Sequence, residues 1–575
     1  MLPDLPDDAG AALDWTWAQF EPYYRGLAER RLSETTVDAW MADWSRLSEL
    51  ISEIGVRLQL RLHADTADGG AEERYFAFLD TIAPAAEVAE HGLKQRLLAA
   101  GLTPAGMGEP LRGMRAEVEL FHHENVPLLV EESKLGTEYD KIVGAQTVTW
   151  EGREVPLPQL RLVFSEPDRA KRERAWWLAR ERQLADRERL DGLWRELLEL
   201  RGRIAANAGC ASYRDYVWQA YRRFDYTPDD CATFREAIRS VCVPAATRIY
   251  QRRQRRLRVA TLRPWDLANG EWGPFADPPR SRPLAPYRTA GELLEKTAAI
   301  LRRVDPRLGQ HFRRMIDEDL LDVENRAGKA PGAYCTFFSV SRRPFIFMNA
   351  VGQHNDVQTL LHEAGHAVHA FEAGRLPYYQ QLGTPMEFNE VASMAMELLA
   401  SPYLTAEAGG FYQPAEAARA RIEHLEQLIL FWPYMAVVDA FQHWAYANPA
   451  EAADTTRCDA QWQELWLRFI PGVDWSGLEA EQVTGWQRRL HIFRAPFYYV
   501  EYGLAQLGAI QVWRNALRDP AKALARYRAA LALGGTAALP ELYRTAGARF
   551  AFDAATLSEA VALVERTIGE LSAER

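Results

Sequence analysis

The sequence has 575 residues, which is long enough for several domains and a large buried core. Its 68 basic and 79 acidic residues give a net charge of −11, which argues against nucleic acid as a main partner. No stretch approaches the ~18 uninterrupted apolar residues of a membrane span, and the acidic N-terminus lacks a signal peptide's apolar core. Without such a span we expect no membrane partner. The five dispersed cysteines are typical of a reduced protein, so we expect a cytoplasmic location.

Helical periodicity dominates the chain and predicts a mainly α fold. Long amphipathic stretches cover residues 9–100, and another charged, Ala- and Leu-rich helical run covers residues 165–210. Between them, Thr147–Trp150 and Glu154–Val155 flank a short turn and predict a β-hairpin. The basic run Arg248–Arg258 is interpreted as a solvated helix face, with contact to an anionic partner as the weaker alternative.

The middle of the chain is less regular. Residues 264–287 contain six prolines and predict a long loop. A second β candidate spans Phe337–Met348, and the chain beyond residue 350 is again mostly helical. A small β-sheet is therefore expected directly before the most informative helix of the chain.

That helix contains His362-Glu363-Ala364-Gly365-His366, the H-E-x-x-H pattern of zinc peptidases. On a helix the two histidines share a face about 6 Å apart along the axis, which suits two ligands of one zinc ion. Glu363 is rotated partly off that face and can act on a water activated by the metal. The alternative is an ordinary helix with a surface glutamate and two unrelated histidines.

Asn355 or Asp356 is the predicted N-cap of this helix and Gly374 its predicted end. His369 also lies near the ligand face. However, it is about 10.5 Å along the axis from His362, too far to share an ion with bonds near 2.1 Å. We therefore expect His369 to support a ligand from behind or to belong to the core.

The following helix, within Met386–Glu397, offers a third ligand. Glu390 and Glu397 are seven residues apart on one face, among methionines and alanines that favour close helix packing. A carboxylate on such a buried helix needs a cation or donors, so pairing with the two histidines favours a His-His-Glu zinc site. Glu397 is a candidate to orient a ligand histidine. The alternative is an amphipathic helix with solvated glutamates.

The segments Gly352–His369 and Phe388–Glu397 together resemble the thimet oligopeptidase and oligoendopeptidase F family of zinc metallopeptidases. The resemblance is closest to oligoendopeptidase F and extends over roughly residues 130–560. Further segments that carry it are Gln146–Val148, Leu157–Leu160, Leu262–Asp266, Arg326–Tyr334 and His491–Gly503.

The resemblance implies that Glu390 is the third ligand of one zinc ion. It also implies that His491, Tyr499 and Tyr502 bind substrate and stabilise the tetrahedral intermediate, with Tyr498 as a further candidate; packing in an aromatic core is the alternative. Ala495 stands where several members of the family have a tyrosine.

The family's fold implies two helical lobes around a deep substrate channel, with a small β-sheet flanking the zinc-binding helix. Residues 1–150 are expected to form part of the channel wall and residues 151–575 the catalytic domain. Peptide substrates commonly add a strand at a sheet edge, which makes Tyr334 and Phe345 candidates for substrate binding. A purely structural β-hairpin is the alternative, and it is compatible with that role. We expect a monomer.

The predicted function is zinc-dependent hydrolysis of internal peptide bonds in unfolded oligopeptides, with Glu363 as proton acceptor and donor. One alternative is a dipeptidyl carboxypeptidase or carboxypeptidase, in which Arg494 would bind the substrate's terminal carboxylate. A non-catalytic peptide-binding protein is a third, weaker alternative, because all the predicted catalytic residues are present.

Overall fold

A computed structural model describes residues 5–164, 166–267, 269–273, 284–326 and 328–573. These residues form a mainly helical protein with small sheets, which confirms the predicted fold class. None of the helices in these ranges is long and apolar enough to cross a membrane. Part of the predicted 264–287 loop, residues 274–283, lies outside the described residues; Pro264–Asp266 forms a 3₁₀ turn.

The first twelve α-helices along the described chain are α1 (Trp17–Glu29), α2 (Val37–Ala64), α3 (Gly69–Ala77), α4 (Ala83–Ala99), α5 (Gly108–Leu120), α6 (Asn125–Gly144), α7 (Leu160–Phe164), α8 (Arg169–Leu184), α9 (Arg187–Asn207), α10 (Tyr213–Ala220), α11 (Pro228–Leu257) and α12 (Ala290–Val304). They are followed by α13 (Pro306–Asp317), α14 (His354–Ala373), α15 (Met386–Ala400), α16 (Pro414–Ala447), α17 (Pro449–Ala452), α18 (Thr455–Phe469), α19 (Glu479–Val483), α20 (Leu490–Arg494), α21 (Tyr499–Ala516), α22 (Pro520–Leu531), α23 (Leu539–Ala546) and α24 (Ala554–Ala573).

The chain forms two compact units, and each is assembled from three separate segments. Unit 1 contains Met1–Glu119, Ala285–Ala417 and Gly508–Phe550. Unit 2 contains Leu120–Leu284, Ala418–Leu507 and Ala551–Arg575. The boundaries of these compact units do not coincide with residue 150, where the sequence predicts a division between the N-terminal region and the catalytic domain. That functional division stays a prediction.

The predicted hairpin is present in unit 2. Its strands β1 (Thr147–Trp150) and β2 (Arg153–Pro156) pair antiparallel, with Trp150 opposite Arg153. The two-residue turn between them, Glu151 and Gly152, has positive φ at both positions, as a tight hairpin requires.

The second β candidate is not one strand but two. β4 (Tyr334–Phe338) and β5 (Arg343–Ala350) form an antiparallel hairpin, because the chain reverses at Ser339–Arg342. A further strand, β3 (Leu321–Glu324), pairs parallel with β5 and was not predicted; the sheet order is β3-β5-β4. Both β4 and β5 contact α14, so this small sheet flanks the helix with the two histidines.

The predicted N-cap of α14 is wrong by two or three residues. Gln353 is the N-cap, and Asp356 lies in the first turn, where its carboxylate accepts the backbone N–H of Gln353 at 2.8 Å. The same carboxylate accepts the backbone N–H of Val351 at 2.9 Å and the hydroxyl of Tyr287. A carboxylate at this end of a helix is stabilised by the helix dipole, so Asp356 fixes where α14 begins.

Candidate metal centre

α14 and α15 pack against each other unusually closely, and Gly365 is the reason. A Cβ atom at Gly365 would lie 2.6 Å from the carbonyl oxygen of Ala392 and 2.6 Å from the Cα atom of Ser393. The hydroxyl of Tyr527 on α22 donates to the same Ala392 oxygen at 2.7 Å and so also binds α15 at this point. The glycine in the H-E-x-x-H segment therefore sets the separation of the two helices.

This packing brings together His362, His366 and Glu390. Each offers one ligand atom, and all three atoms lie within 4.8 Å of one another. The Glu390 Oε2 atom is 3.3 Å from Nε2 of His362 and 3.6 Å from Nε2 of His366. Two ligand atoms that are about 2.1 Å from a tetrahedral ion lie roughly 3.4 Å apart, so the donor set fits a zinc-sized cation.

The charges around His362 also suit a cation. Burial alone would lower the pKa of His362, but hydrogen bonds to Glu390 and Glu397 outweigh it and hold the pKa well above its ordinary value. Burial would likewise raise the pKa of Glu390, yet His362, His366 and Ser393 keep it below its ordinary value. Two carboxylates thus stabilise positive charge between them, whether a proton or a metal ion carries it.

The side chains behind the donor atoms fix their orientation. Nδ1 of His362 is 2.7 Å from Oε1 of Glu397, the residue that the sequence offers as a candidate to orient a ligand histidine. The hydroxyl of Ser393 donates to Oε2 of Glu390 at 2.9 Å. His362 can therefore present Nε2 to a metal while Nδ1–H is bound to a carboxylate.

Glu363 is 6 % exposed and lies beside β4. Burial raises the pKa of Glu363 to about 7, although His362 and the backbone N–H of Cys335 oppose the shift. A carboxyl group with a pKa near neutrality can accept and return a proton, as a general base requires.

His369 is buried and contributes no ligand atom to the group. Its Nε2 lies 3.3 Å from the Thr384 hydroxyl, and its ring meets the ring of Phe388 edge-on. Burial lowers the pKa of His369 to about 3, so the imidazole is neutral. Of the two roles expected for His369, these contacts support the one in the core.

The two candidates on the sheet are both partly buried. The Tyr334 hydroxyl is 2.8 Å from Nδ1 of His63, and its ring stacks on Phe347 at 5.1 Å. Phe345 lies on β5, the central strand, and packs against Phe338 of the edge strand β4. β3 and β4 are the two edge strands of this sheet, so a peptide could pair with either of them but not with the central strand β5.

The other predicted residues form a separate aromatic cluster in unit 2. The His491 ring is 4.7 Å from the ring of Tyr499, 5.7 Å from Tyr498 and 6.3 Å from Tyr502. Burial lowers the pKa of His491 to about 4, and burial raises the pKa of Tyr499. Near neutral pH the cluster therefore offers a neutral imidazole at His491 and a protonated phenol at Tyr499, which are hydrogen-bond donors without net charge.

Sequence reasoning missed Tyr434 on α16. Its hydroxyl lies 3.3 Å from the hydroxyl of Tyr499, and its ring stacks on Trp272 at 4.3 Å. No local pattern indicates this residue, because 65 positions separate it from Tyr499.

Residues 162–562 match the model of peptidase family M3. The chain belongs to this family. The resemblance predicted from the sequence is therefore confirmed. Sequence relatives include the chromosomal oligoendopeptidase F of Lactococcus lactis subsp. cremoris, 32 % identical over 107 residues, and oligopeptidase PepF of Bacillus subtilis (strain 168), 33 % identical over 101 residues. These matches span 18 % and 17 % of this chain but only 17 % and 15 % of the relatives' length.

Solved structures are similar over nearly the whole chain. PZ peptidase A, solved with an inhibitor, superimposes with a TM-score of 0.86 at 27 % identity and 96 % coverage of both chains. Oligoendopeptidase-F from Enterococcus faecium, at 16 % identity and a TM-score of 0.62 over 98 % of this chain and 99 % of its own, shares the fold. An M3 metallopeptidase implies a metal, and the group of His362, His366 and Glu390 could bind it.

Proposed function

We propose that the chain is a zinc-dependent endopeptidase that hydrolyses internal peptide bonds of unfolded oligopeptides. The observation that carries this proposal is the triangle of His362, His366 and Glu390 donor atoms with the buried carboxyl group of Glu363 beside it. One zinc ion on this triangle would supply Lewis acidity to a water molecule and to the substrate carbonyl.

In the proposed reaction, Glu363 accepts a proton from the attacking water and returns it to the leaving amine. Burial raises the pKa of Glu363 above its ordinary value in the absence of a metal, and a zinc ion nearby would favour the charged form, which accepts the proton. His491, Tyr499 and Tyr502 are proposed to donate hydrogen bonds to the developing oxyanion. Their clustering supports a shared role.

The proposed substrates are oligopeptides, in line with the names oligoendopeptidase and oligopeptidase of the relatives. We further propose a cytoplasmic monomer with no nucleic-acid partner. Tyr334 and Phe345 remain candidates for substrate contacts beside the sheet.

The carboxypeptidase alternative is not favoured. It needs a cation free to bind a terminal carboxylate, but Arg494 already forms an ion pair with Asp140. The non-catalytic alternative would be supported by loss of Glu363 or of a ligand, and the sequence has all four residues.

The experiment compares the parent with Glu363→Gln on a quenched fluorescent peptide, together with metal content by mass spectrometry. Glu363→Gln should keep the metal and lose hydrolysis by about 10²–10⁴-fold, the range for removal of a general base. Full activity in this variant would exclude the proposed mechanism. Cleavage inside a C-terminally amidated peptide is expected, and strict dependence on a free C-terminus would instead support the carboxypeptidase.

A further inference from the structure

The segment 490–503, here called the His491 segment, has an irregular backbone. α20 is only five residues long, and Ala495–Tyr498 connect it to α21. Within this connection Phe497 has a φ of 66°, in the left-handed region that bulky residues rarely adopt. Such a conformation persists only where the surroundings impose it.

Arg201 on α9 holds the first part of this segment. Its side chain is fully buried and donates to the backbone carbonyls of Ile492, at 3.2 Å, and Phe493. The same guanidinium donates to the carboxylate of Glu132 and the hydroxyl of Tyr446, each at 2.7 Å. Arg201 thereby binds the last turn of the short helix that carries His491 and is itself fixed from two other helices.

Arg223, three residues beyond the last residue of α10, binds the second part of the segment. Its Nη2 donates to the carbonyl of Phe497 at 2.7 Å and to Oε1 of Glu501 at 2.5 Å, and its side chain is 1 % exposed. The N–H of Phe497 donates to Oε1 of Gln442 at 2.7 Å. Both backbone groups of the left-handed residue are therefore bound by side chains from outside the segment.

We propose that Arg201 and Arg223 are positioning residues for the reaction, which fix the backbone of the His491 segment so that His491 and Tyr499 keep one arrangement. The proposal rests on the proposed function. Burying a charged side chain is costly, and well-packed apolar residues would often give equal or greater stability. Unlike an apolar side chain, an arginine presents several donors in one plane and thereby fixes the positions of the carbonyl oxygens that it binds. Donors to an oxyanion need such precision, because an error of about 1 Å can cost 10²-fold in rate.

Arg172 on α8 provides a matched control in the same unit. Its side chain is 1 % exposed and donates to the carbonyls of Trp265 and Glu166, each at 2.8 Å, and to the carboxylate of Asp266 at 3.2 Å. Its burial and its mixture of carbonyl and carboxylate acceptors match those of Arg201. None of these acceptors belongs to the His491 segment.

The test uses the full-length chain with Arg201→Lys, Arg223→Lys and Arg172→Lys, each loaded with zinc. Hydrogen-exchange mass spectrometry reports the backbone of residues 490–503, and steady-state kinetics separates kcat from KM. Arg201→Lys and Arg223→Lys should raise exchange in this segment at least tenfold and lower kcat at least tenfold. Arg172→Lys should lower the unfolding temperature comparably while kcat stays within twofold of the parent.

If the loss of kcat in all three variants simply follows the drop in their unfolding temperature, the arginines have only a structural role and the proposal is overturned. Unchanged exchange at residues 490–503 in Arg201→Lys and Arg223→Lys overturns it as well. If a lysine variant fails to fold, Gln442→Met takes its place, because it removes the acceptor of the Phe497 N–H without leaving a buried charge unpaired. It is tested by the same two measurements, hydrogen exchange at residues 490–503 and kcat. A parent that cleaves no peptide refutes the proposed function itself, whereas an active parent with active, unaltered variants refutes only the positioning role.

Discussion

Gly365→Ala is expected to disrupt metal binding because the added methyl group would collide with Ala392, Ser393 and Met396 on the helix that carries Glu390. The new Cβ would lie 2.6 Å from backbone atoms of Ala392 and Ser393, whereas ordinary contacts begin near 3.4 Å. The obstacle is backbone rather than a flexible side chain, so α15 must retreat from α14 by about 0.8 Å, the difference between these two distances. Glu390 lies on α15 and would move with it.

The expected loss of metal affinity follows from how little error in ligand distance a metal site tolerates. Ligand distances must stay within about 0.2 Å of their ideal values, so a retreat several times larger removes Glu390 from its place. We expect metal affinity to fall at least tenfold and the free energy of unfolding to fall by about 1–3 kcal/mol from overpacking. Competition with a chromogenic chelator measures the affinity, and thermal unfolding of the metal-free protein measures the stability.

Gly92→Ala on α4 is the matched control. A Cβ atom at Gly92 meets nothing within 4 Å, so alanine should be neutral or stabilising by up to about 1 kcal/mol through its helix propensity. If Gly365→Ala behaves like Gly92→Ala and binds metal as tightly as the parent, the close approach of α14 and α15 does not set the ligand geometry.

Three further predictions concern the same two clusters. Glu397→Met removes the acceptor of His362 Nδ1 and should weaken metal binding about 10–100-fold, measured by chelator competition; equal affinity would show that this contact does not tune the ligand. Removing the metal with a chelator should abolish hydrolysis and lower the unfolding temperature, since the cation between Glu390 and the histidines is lost; restored zinc should reverse both, and an active metal-free protein would contradict the site. The folded-state pKa of His491, about 4, lies below its ordinary value of 6.5, so protonation favours the unfolded chain. Its contribution to stability is complete above pH 6.5 and is lost as the pH falls toward 4, so the unfolding temperature of His491→Gln should decline less over this window than that of the parent.

The metal centre could be predicted because its geometry is local. Two histidines four residues apart on one helix, and two glutamates seven apart on the next, fix which side chains share a face before any tertiary contact is known. The sheet is harder to predict from the sequence, because its strands β3, β4 and β5 have only four to eight residues each. In addition, a turn divides the apolar run Phe337–Met348 between two strands. Asp356 was misplaced as an N-cap because its carboxylate can bind the same backbone N–H groups from the first helical turn.

The support of the His491 segment could not be predicted from the sequence. Arg201 binds a carbonyl 292 positions away, and Arg223 binds one 274 positions away. In the sequence both are ordinary members of an arginine-rich helical protein. Nothing in a local pattern distinguishes them from the exposed arginines nearby; only the fold does.

The division of each unit into three chain segments has a consequence for synthesis. Unit 1 requires Gly508–Phe550 and unit 2 requires Ala551–Arg575, where α24 packs on α11. Neither unit can therefore complete its core before the last of its three segments has been synthesised. At about 5–20 residues per second, the roughly 430 residues between Glu119 and Phe550 take about 20 to 90 seconds, during which the first segment of unit 1 lacks its last partner. We expect the yield of folded protein to depend on chaperone supply during translation more than on the stability of the finished molecule.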